Sequence, residues 1–192
     1  MKIAILYESS ERQGAALCKA AVRQCSAAGN ESVLIDASEE ELKACIGCFS
    51  CWVKTPGTCI HTKDGGQKFL RNIFDADYFL IISGITWGGY STGIKYYADR
   101  MLPLLHPYFR KLNGEMHHRL RYDKIPLLLT AGFTAGNVEN SADEEKTFRK
   151  FTEANRDNTG GSLSSLTYVD NSGTVENKLS NFTEWLSKET GI

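Results

Sequence analysis

The sequence has little of what would mark a membrane or nucleic-acid protein. No apolar run approaches the roughly 20 residues that a membrane-spanning helix needs. The apolar residues before Glu8 are too few for the core of a secretory signal. The 192 residues carry 22 basic and 23 acidic side chains, a balance that favours neither nucleic acid nor an anionic membrane as partner. We therefore expect a cytoplasmic protein that binds neither.

Two common nucleotide-binding motifs are also missing. The chain contains neither G-x-G-x-x-G nor G-x-x-x-x-G-K-[ST], which disfavours a Rossmann dinucleotide site and a P-loop. Its six cysteines, in a chain without a secretory signal, do not favour a disulfide framework. Four of them are crowded into fifteen residues, and that crowding needs a chemical reason.

Short apolar segments alternate with amphipathic ones along the chain. Continuously apolar segments are typical of parallel strands buried on both faces, and the intervening segments have helical periodicity. This pattern predicts an α/β fold, a flavodoxin-like doubly wound five-stranded parallel sheet of order 2-1-3-4-5 in a single domain, residues 1–192. Ligands of such sheets bind at the carboxyl ends of the strands. The predicted strands cover residues 2–7, 32–36, 78–82, 125–129 and 163–169.

The loop after the first strand has the chemistry of a phosphate site. It offers the hydroxyls of Ser9 and Ser10, the cation of Arg12 and the free N–H groups of a helix start. A phosphate dianion is stabilised by that combination of donors and dipole. The alternative is a polar turn whose serines cap the helix.

The cysteine loop, residues 45–59, has the spacing C-x2-C-x2-C-x7-C. Four thiolates so spaced can converge on a [4Fe–4S] cluster. Structural zinc more often uses two separated C-x2-C pairs. Zinc, reduced thiols and a redox-active dithiol stay open as alternatives. The candidate metal ligands are Cys45, Cys48, Cys51 and Cys59.

A glycine-rich aromatic segment, residues 83–95, follows the third predicted strand. Its glycines allow a flat ligand to approach the backbone closely, and Trp87 and Tyr90 could stack on such a ligand. Lys95, Asp99 and Arg100 follow on a predicted helix, where a structural ion pair is the favoured interpretation.

Taken together, these segments are similar to a known family. The phosphate loop, the cysteine run and the pattern W-G-G-Y-S…K…D-R resemble the NADPH-dependent FMN reductase family, most closely its branch of iron–sulfur flavoproteins. The resemblance extends to about Gly136. It implies that FMN binds with its phosphate in the first loop, its ring against residues 86–91 and a third contact after strand four. The implied contacts are Ser9, Ser10, Arg12, Gly14, Ala15, Ala16, Thr86, Trp87, Gly88, Gly89, Tyr90, Ser91, Ala131 and Gly132.

The sequence departs from the family pattern at two places. Ala15 and Ala16 stand where the family usually has the phosphate ligands Asn-Thr. Thr86 stands where an aromatic residue often flanks the ring, and Trp87 could substitute for it. Phosphate binding would then depend on Ser9, Ser10, Arg12 and the backbone.

The resemblance implies an FMN-dependent oxidoreductase, a homodimer or homotetramer, that takes electrons from NAD(P)H or a ferredoxin-like donor. A [4Fe–4S] cluster could relay the electrons. The alternatives are a flavodoxin-type carrier or redox sensor without its own substrate, and a zinc- or thiol-stabilised scaffold without flavin. An irregular basic insertion, about residues 107–123, could bind dinucleotide phosphates or form a solvated or oligomer contact.

Overall fold

A parallel sheet organises the protein. The computed structural model describes residues 1–39, 42–112, 114–134, 141–159, 167–169 and 173–192. Its parallel strands have the order β2-β1-β3-β7-β8, so the predicted order 2-1-3-4-5 is confirmed. The strands are β1 Lys2–Tyr7, β2 Glu31–Asp36, β3 Tyr78–Thr86, β7 Leu127–Thr134 and β8 Thr167–Val169.

Helices cover both faces of this sheet. On one face, α1 and α6 bury their apolar stripes against alternate residues of β1, β3 and β7. On the other face, α3, α4 and α5 do the same with the residues in between. A strand buried on both faces must be apolar at every position, which is why β1 has no polar alternation. The helices are α1 Arg12–Ala27, α2 Ser50–Val53, α3 Gly66–Phe74, α4 Thr92–Asp99, α5 Ser141–Asn158 and α6 Val175–Thr190.

Three further strands lie outside the parallel set. The short strand β4, Gly89–Tyr90, turns back antiparallel to the end of β3. Strands β5, Leu105–Leu112, and β6, Glu115–Leu120, form a separate antiparallel hairpin. The segment predicted to be irregular, about residues 107–123, is therefore largely a regular hairpin, and its being an insertion stays a prediction. Pro107 lies within β5, where a hairpin edge tolerates proline.

A buried ion pair fastens the cysteine loop to the helical layer. The Arg100 side chain is 2% exposed and binds both carboxylate oxygens of Asp64, at 2.7 and 3.0 Å. The same guanidinium donates to the carbonyl oxygens of Lys43 at 2.7 Å and His61 at 3.2 Å. Lys43 precedes the cysteine loop and His61 follows it, so one side chain holds both ends of that loop. Asp64 is thus an ion-pair partner as well as the acceptor for the Gly66 N–H.

This pair predicts a specific pH dependence of stability. Burial acts to raise the pKa of Asp64, but hydrogen bonds from Arg100, Gly66 and Lys43 outweigh it and lower the pKa from 3.8 to about 2. The folded-state pKa lies below the unfolded one, so the contribution is present above pH 3.8 and is lost as the pH falls towards 2. We expect about 2 kcal/mol of the free energy of unfolding to be lost in that window.

Urea unfolding of the wild type and Asp64→Asn across this window tests the prediction. The variant should be less stable by about 3 kcal/mol at neutral pH, because Arg100 stays buried without its carboxylate. The gap should narrow as Asp64 protonates in the wild type. Asp123→Asn, at an exposed position, is the matched control and should follow the wild type. A gap that does not change with pH would contradict the assignment.

Candidate functional site

The first loop connects β1 to α1 at the carboxyl edge of the sheet. The N–H of Ser9 donates to Asp36 Oδ1 at 3.0 Å, and the N–H of Ser10 donates to Ser38 Oγ at 3.2 Å. The two serine hydroxyls, Ser10 and Ser38, lie 2.9 Å apart. The backbone donors predicted to bind phosphate are therefore bonded to the loop that follows β2.

A second carboxylate joins the first loop to the loop after β3. The Ser91 hydroxyl donates to Glu8 Oε2. The other oxygen of Glu8 packs against Gly93, where a Cβ atom would collide with it. The fully buried Ser83 completes this connection, because its hydroxyl accepts the N–H of Ser91 at 3.0 Å. Glu8 and Asp36 make this part of the edge anionic.

The hydrogen bonds also stabilise the ionised form of Asp36. Burial acts to raise its pKa, but the bonds from Ser9 and Ser38 outweigh burial, and the pKa is lowered. A phosphate dianion beside this carboxylate would be repelled. A phosphate at this edge is better placed further along, at the start of α1.

A cavity of about 410 Å³ lies at that point, between the start of α1, the end of β7 and the start of α6. Its lining includes Arg12, Gln13, Ala16, Phe133 and Lys178. Two of these side chains, Arg12 and Lys178, are cationic and the lining residue Glu11 is anionic, so the charges of the lining sum to a net positive value. The positive end of the α1 dipole faces the same space. Gly14 lies beneath it and permits close packing, since a Cβ there would approach the Phe133 ring to 3.3 Å. Ala15, like Ala16, is partly exposed at this helix start.

The segment after β3 forms a two-residue hairpin with Trp87 at its tip. Trp87 and Gly88 have φ values of 52° and 72°, and Thr86 pairs with Gly89 across the turn. Two successive positive φ values define the type I′ geometry that favours Asn-Gly. Trp87 is 91% exposed, so no packing offsets the strain of placing tryptophan there. A strained, exposed aromatic residue at a sheet edge is a candidate ligand contact.

The other residues predicted to contact the ring are divided between the edge and the interior. Thr86 is exposed, Gly89 and Ser91 are half-buried, and Gly88 is buried against Thr147 of α5. Tyr90 is 6% exposed and packs edge-on against Phe148 and Phe151. Tyr90 therefore belongs to the interior between the sheet and α5.

The predicted third contact segment lies within a strand and not after it. Strand β7 extends to Thr134, so Ala131 and Gly132 are inside it. Ala131 is fully buried, and the Phe148 ring occupies the space where a Gly132 side chain would be. Residues 135–140, which follow this strand, lie outside the described part of the chain.

The four loop cysteines are free thiols gathered around Cys51. Burial, the largest effect, raises the pKa of the Cys51 thiol, and the negative charges of Cys59, Cys45 and Cys48 raise it further. Cys48 is exposed, and hydrogen bonding to Ser50 lowers its pKa. Within the described ranges, no three His, Cys, Asp or Glu side chains are close enough to hold a metal ion. The thiols as arranged here do not form a closed ligand set for a cluster or for zinc.

Three arginines of the basic insertion donate hydrogen bonds to backbone carbonyl oxygens of the protein. Arg110 donates to the carbonyl oxygens of His118 and Asp157, at 3.3 and 2.9 Å. Arg119 donates to the carbonyl oxygen of Phe109 at 3.0 Å, and Arg121 donates to that of Pro103 at 3.1 Å. Arg119 therefore joins the two strands of the hairpin, whereas Arg110 and Arg121 connect the hairpin to α5 and to the segment before β5.

Sequence reasoning missed the two carboxylates, Glu8 and Asp36, because hydroxyl and cationic residues were weighed as phosphate ligands. It also placed Arg100 in an ion pair on its own helix, whereas the partner of Arg100 is Asp64. Neither pairing has a local signal, since Asp64 and Arg100 are 36 positions apart. Among the described helices, none is long and apolar enough to cross a bilayer.

Comparison with known proteins identifies structures of the same fold and one relative that matches part of the chain. The chain matches no protein-family profile. It is 32% identical to an iron–sulfur flavoprotein of Methanocaldococcus jannaschii over 88 residues, which cover 46% of this chain and 44% of that protein. The match therefore spans less than half of either molecule. It agrees with the resemblance inferred from the sequence motifs.

Two solved structures share the fold over nearly the whole chain. One is the NAD(P)H:quinone oxidoreductase of Methanothermobacter marburgensis, with a TM-score of 0.66, 13% identity and coverage of 100% of this chain and 99% of that one. The other is the FMN-dependent NADH-azoreductase of Bacillus anthracis in complex with FMN, with a TM-score of 0.62, 13% identity and coverage of 97% and 98%. The flavodoxin-like fold class is confirmed.

The strain at Trp87 gives a prediction for stability. Trp87→Asn creates the Asn-Gly pair that a type I′ turn prefers, and removes no buried contact. We expect the free energy of unfolding to rise by about 1 kcal/mol. Denaturant unfolding measures it, with Trp87→Val as the matched variant that should lower stability. A loss of stability in the asparagine variant would show that Trp87 has a packing role.

Proposed function

We propose that this chain is an FMN-dependent oxidoreductase that passes electrons from NAD(P)H to an acceptor. The observation that carries the proposal is the cavity at the start of α1, at the carboxyl edge of the sheet. Arg12, Lys178 and the helix dipole together outweigh the negative charge of Glu11 there. The names of the relatives support the same chemistry: an iron–sulfur flavoprotein, a quinone oxidoreductase and an azoreductase in complex with FMN.

The phosphate of FMN fits this cavity better than it fits the serine amides. Ser9 and Ser10 already donate their N–H groups to Asp36 and Ser38. The N–H groups at the start of α1, with the side chain of Arg12, supply the donors that a dianion needs. The small side chains of Ala15 and Ala16 leave room for the phosphate and the ribityl chain.

The ring of FMN belongs beside the tip of the β3–β4 hairpin. Ile85 pairs with Thr134, so this hairpin begins next to the end of β7, and the Gly14–Phe133 contact joins that strand end to the start of α1. Trp87 can stack on a ring there, while the Ser91–Glu8 bond holds the loop in place. When bound, FMN supplies hydride acceptance and one-electron exchange. The chain's own residues bind and orient it.

Comparing FMN with riboflavin, which lacks the phosphate, tests the assigned site. Arg12→Glu and Lys178→Glu should each weaken FMN binding at least about tenfold, because each replaces a favourable charge by a repulsive one. Riboflavin affinity should stay unchanged in both variants. Quenching of flavin fluorescence gives both dissociation constants.

Arg23→Glu is the matched control, since it makes the same change at an exposed position further along α1. It should bind FMN as the wild type does. If Arg12→Glu and Lys178→Glu lower the affinities for FMN and riboflavin equally, or lower neither, the α1 cavity is not the phosphate-binding site. Steady-state oxidation of NADPH and NADH by the FMN-loaded protein, with a quinone as acceptor, then separates an enzyme from a carrier, which would not turn over.

A [4Fe–4S] cluster is a finer part of this proposal. The cysteine spacing and the iron–sulfur flavoprotein relative support it. The thiols do not form a closed ligand set in this structure, so no electron-transfer step is assigned to a cluster. A ferredoxin-like donor and a homodimer or homotetramer stay predictions from the resemblance.

Iron and sulfide analysis of protein purified without oxygen decides the cluster. If the four cysteines are ligands, the wild type should contain about four iron atoms and four sulfides per chain. Cys48→Ser should lose them while keeping its FMN affinity. Cys25→Ala, a buried thiol of α1, should retain the iron. Iron-free wild-type protein that still binds FMN would remove the cluster and leave the flavin proposal intact.

A further inference from the structure

A second cavity, of about 440 Å³, lies on the opposite face of the sheet from the α1 cavity. Ile81 and Leu128 of the sheet form its floor, and Leu104, Met101 and Leu120 contribute apolar walls. Cys45 lies at its edge. Cavities of this size with mainly apolar walls are typical sites for small molecules.

The helix α5 presents two amides to this apolar space. Phe148, Phe151, Asn155 and Asn158 follow one another at spacings of three, four and three residues, so they share one face of the helix. The phenylalanines pack into the core, and the asparagines line the cavity. Both asparagines are half-buried, so their amides are polar groups beside an otherwise mainly apolar space.

Two buried hydroxyl groups lie at the same end of the cavity. The hydroxyls of Tyr90 and Thr130 have no hydrogen bond of good geometry within the described residues, although the side chains of Thr130 and Asn155 lie close enough to the Tyr90 hydroxyl to interact with it. Tyr90 lines the cavity, and Thr130 is fully buried beside it. Burial raises the pKa of Tyr90, and the nearby side chains of Thr130 and Asn155 oppose that effect without cancelling it. The Tyr90 hydroxyl is therefore a protonated donor at ordinary pH.

The hairpin fixes the remaining polar group. His117 Nδ1 lies 3.1 Å from Asn158 Oδ1, and His117 Nε2 lies 3.6 Å from a carboxylate oxygen of Glu115. This contact orients the Asn158 amide. Of the described residues that line the cavity, Asp99 alone is charged, and it pairs with Lys95. The cavity therefore offers hydrogen-bond donors but no counter-charge for an ion.

We propose that this cavity binds an uncharged, mainly apolar ring compound with a carbonyl oxygen, which accepts hydrogen bonds from Tyr90 and Asn155. The apolar walls would bury the rings, and the ligand's carbonyl oxygen would give the Tyr90 hydroxyl an acceptor of good geometry. The site shares no lining residue with the α1 cavity, so it does not depend on the proposed flavin site.

The test compares two bicyclic probes, α-tetralone and tetralin, which differ by one carbonyl oxygen. Calorimetric titration of the purified wild-type chain should show one α-tetralone site, with tetralin about tenfold weaker. Saturating FMN should leave that site unaffected. Equal affinities, no binding to the folded protein or one-for-one displacement by FMN would each overturn the proposal.

Two variants separate a ligand site from a structural role. Tyr90→Phe should lower α-tetralone affinity about tenfold and leave tetralin affinity unchanged. Asn155→Leu should also weaken α-tetralone binding, while the melting temperature of the ligand-free protein holds or rises, because an apolar residue suits the cavity better. Asn72→Leu makes the same change on α3 away from the cavity and should bind both probes normally. Destabilisation by Asn155→Leu with unchanged binding would show that the amide serves the fold.

Discussion

The ion pair between Arg100 and Asp64 determines where the irregular parts of this molecule lie. A guanidinium that is 2% exposed needs partners for its donors, and here the two terminal nitrogens are bonded to Asp64 and to the carbonyl oxygens of Lys43 and His61. Because those carbonyls lie on either side of the cysteine loop, the loop cannot move away from α4 without exposing unpaired polar groups to an apolar interior. The loop in turn supplies Cys45 and Phe49 to the edge of the second cavity. The thiols and that cavity therefore depend on the same buried charge pair.

The carboxyl edge of the sheet is organised by competition for backbone donors. Asp36 and Ser38 bond the amides of Ser9 and Ser10, and Glu8 accepts a bond from Ser91. These bonds connect the loops after β1, β2 and β3 without a ligand. They also make that part of the edge anionic, while Arg12 and Lys178 make the start of α1 cationic. An anionic group entering the edge meets repulsion on one side and attraction on the other, which limits the orientations that a phosphorylated ligand can adopt.

The parts of the fold that sequence predicted well are those set by local periodicity. The apolar run of β1 and the helical stripe of α1 are apolar because both bury against a sheet, and the strand order follows from repeated β-α units. The hairpin of β5 and β6 was missed because its strands are rich in polar residues and lack the continuous apolar run of the sheet strands. The site was predicted in outline only. Tyr90 looked like a surface aromatic within a glycine-rich loop, yet β4 turns it inward against Phe148 and Phe151. Whether an aromatic residue faces a ligand or the core depends on a turn in which Trp87 adopts a positive φ, a conformation that residue preference argues against.

Trp87 and the asparagines of α5 are unusual residues for their positions: one is an exposed apolar ring, and the others are amides beside an apolar cavity. Trp87 adopts a strained backbone conformation and holds an apolar ring in solvent, whereas Asn155 and Asn158 place half-buried amides beside a mainly apolar cavity. Each arrangement costs stability that an ordinary residue would not, and residues that break local rules without a packing benefit tend to mark functional sites. The two features lie near different ends of α5, because the hairpin tip packs through Gly88 against Thr147 and the asparagines lie at positions 155 and 158. Tyr90 connects them, because it immediately follows the hairpin turn in sequence and lines the cavity with its side chain.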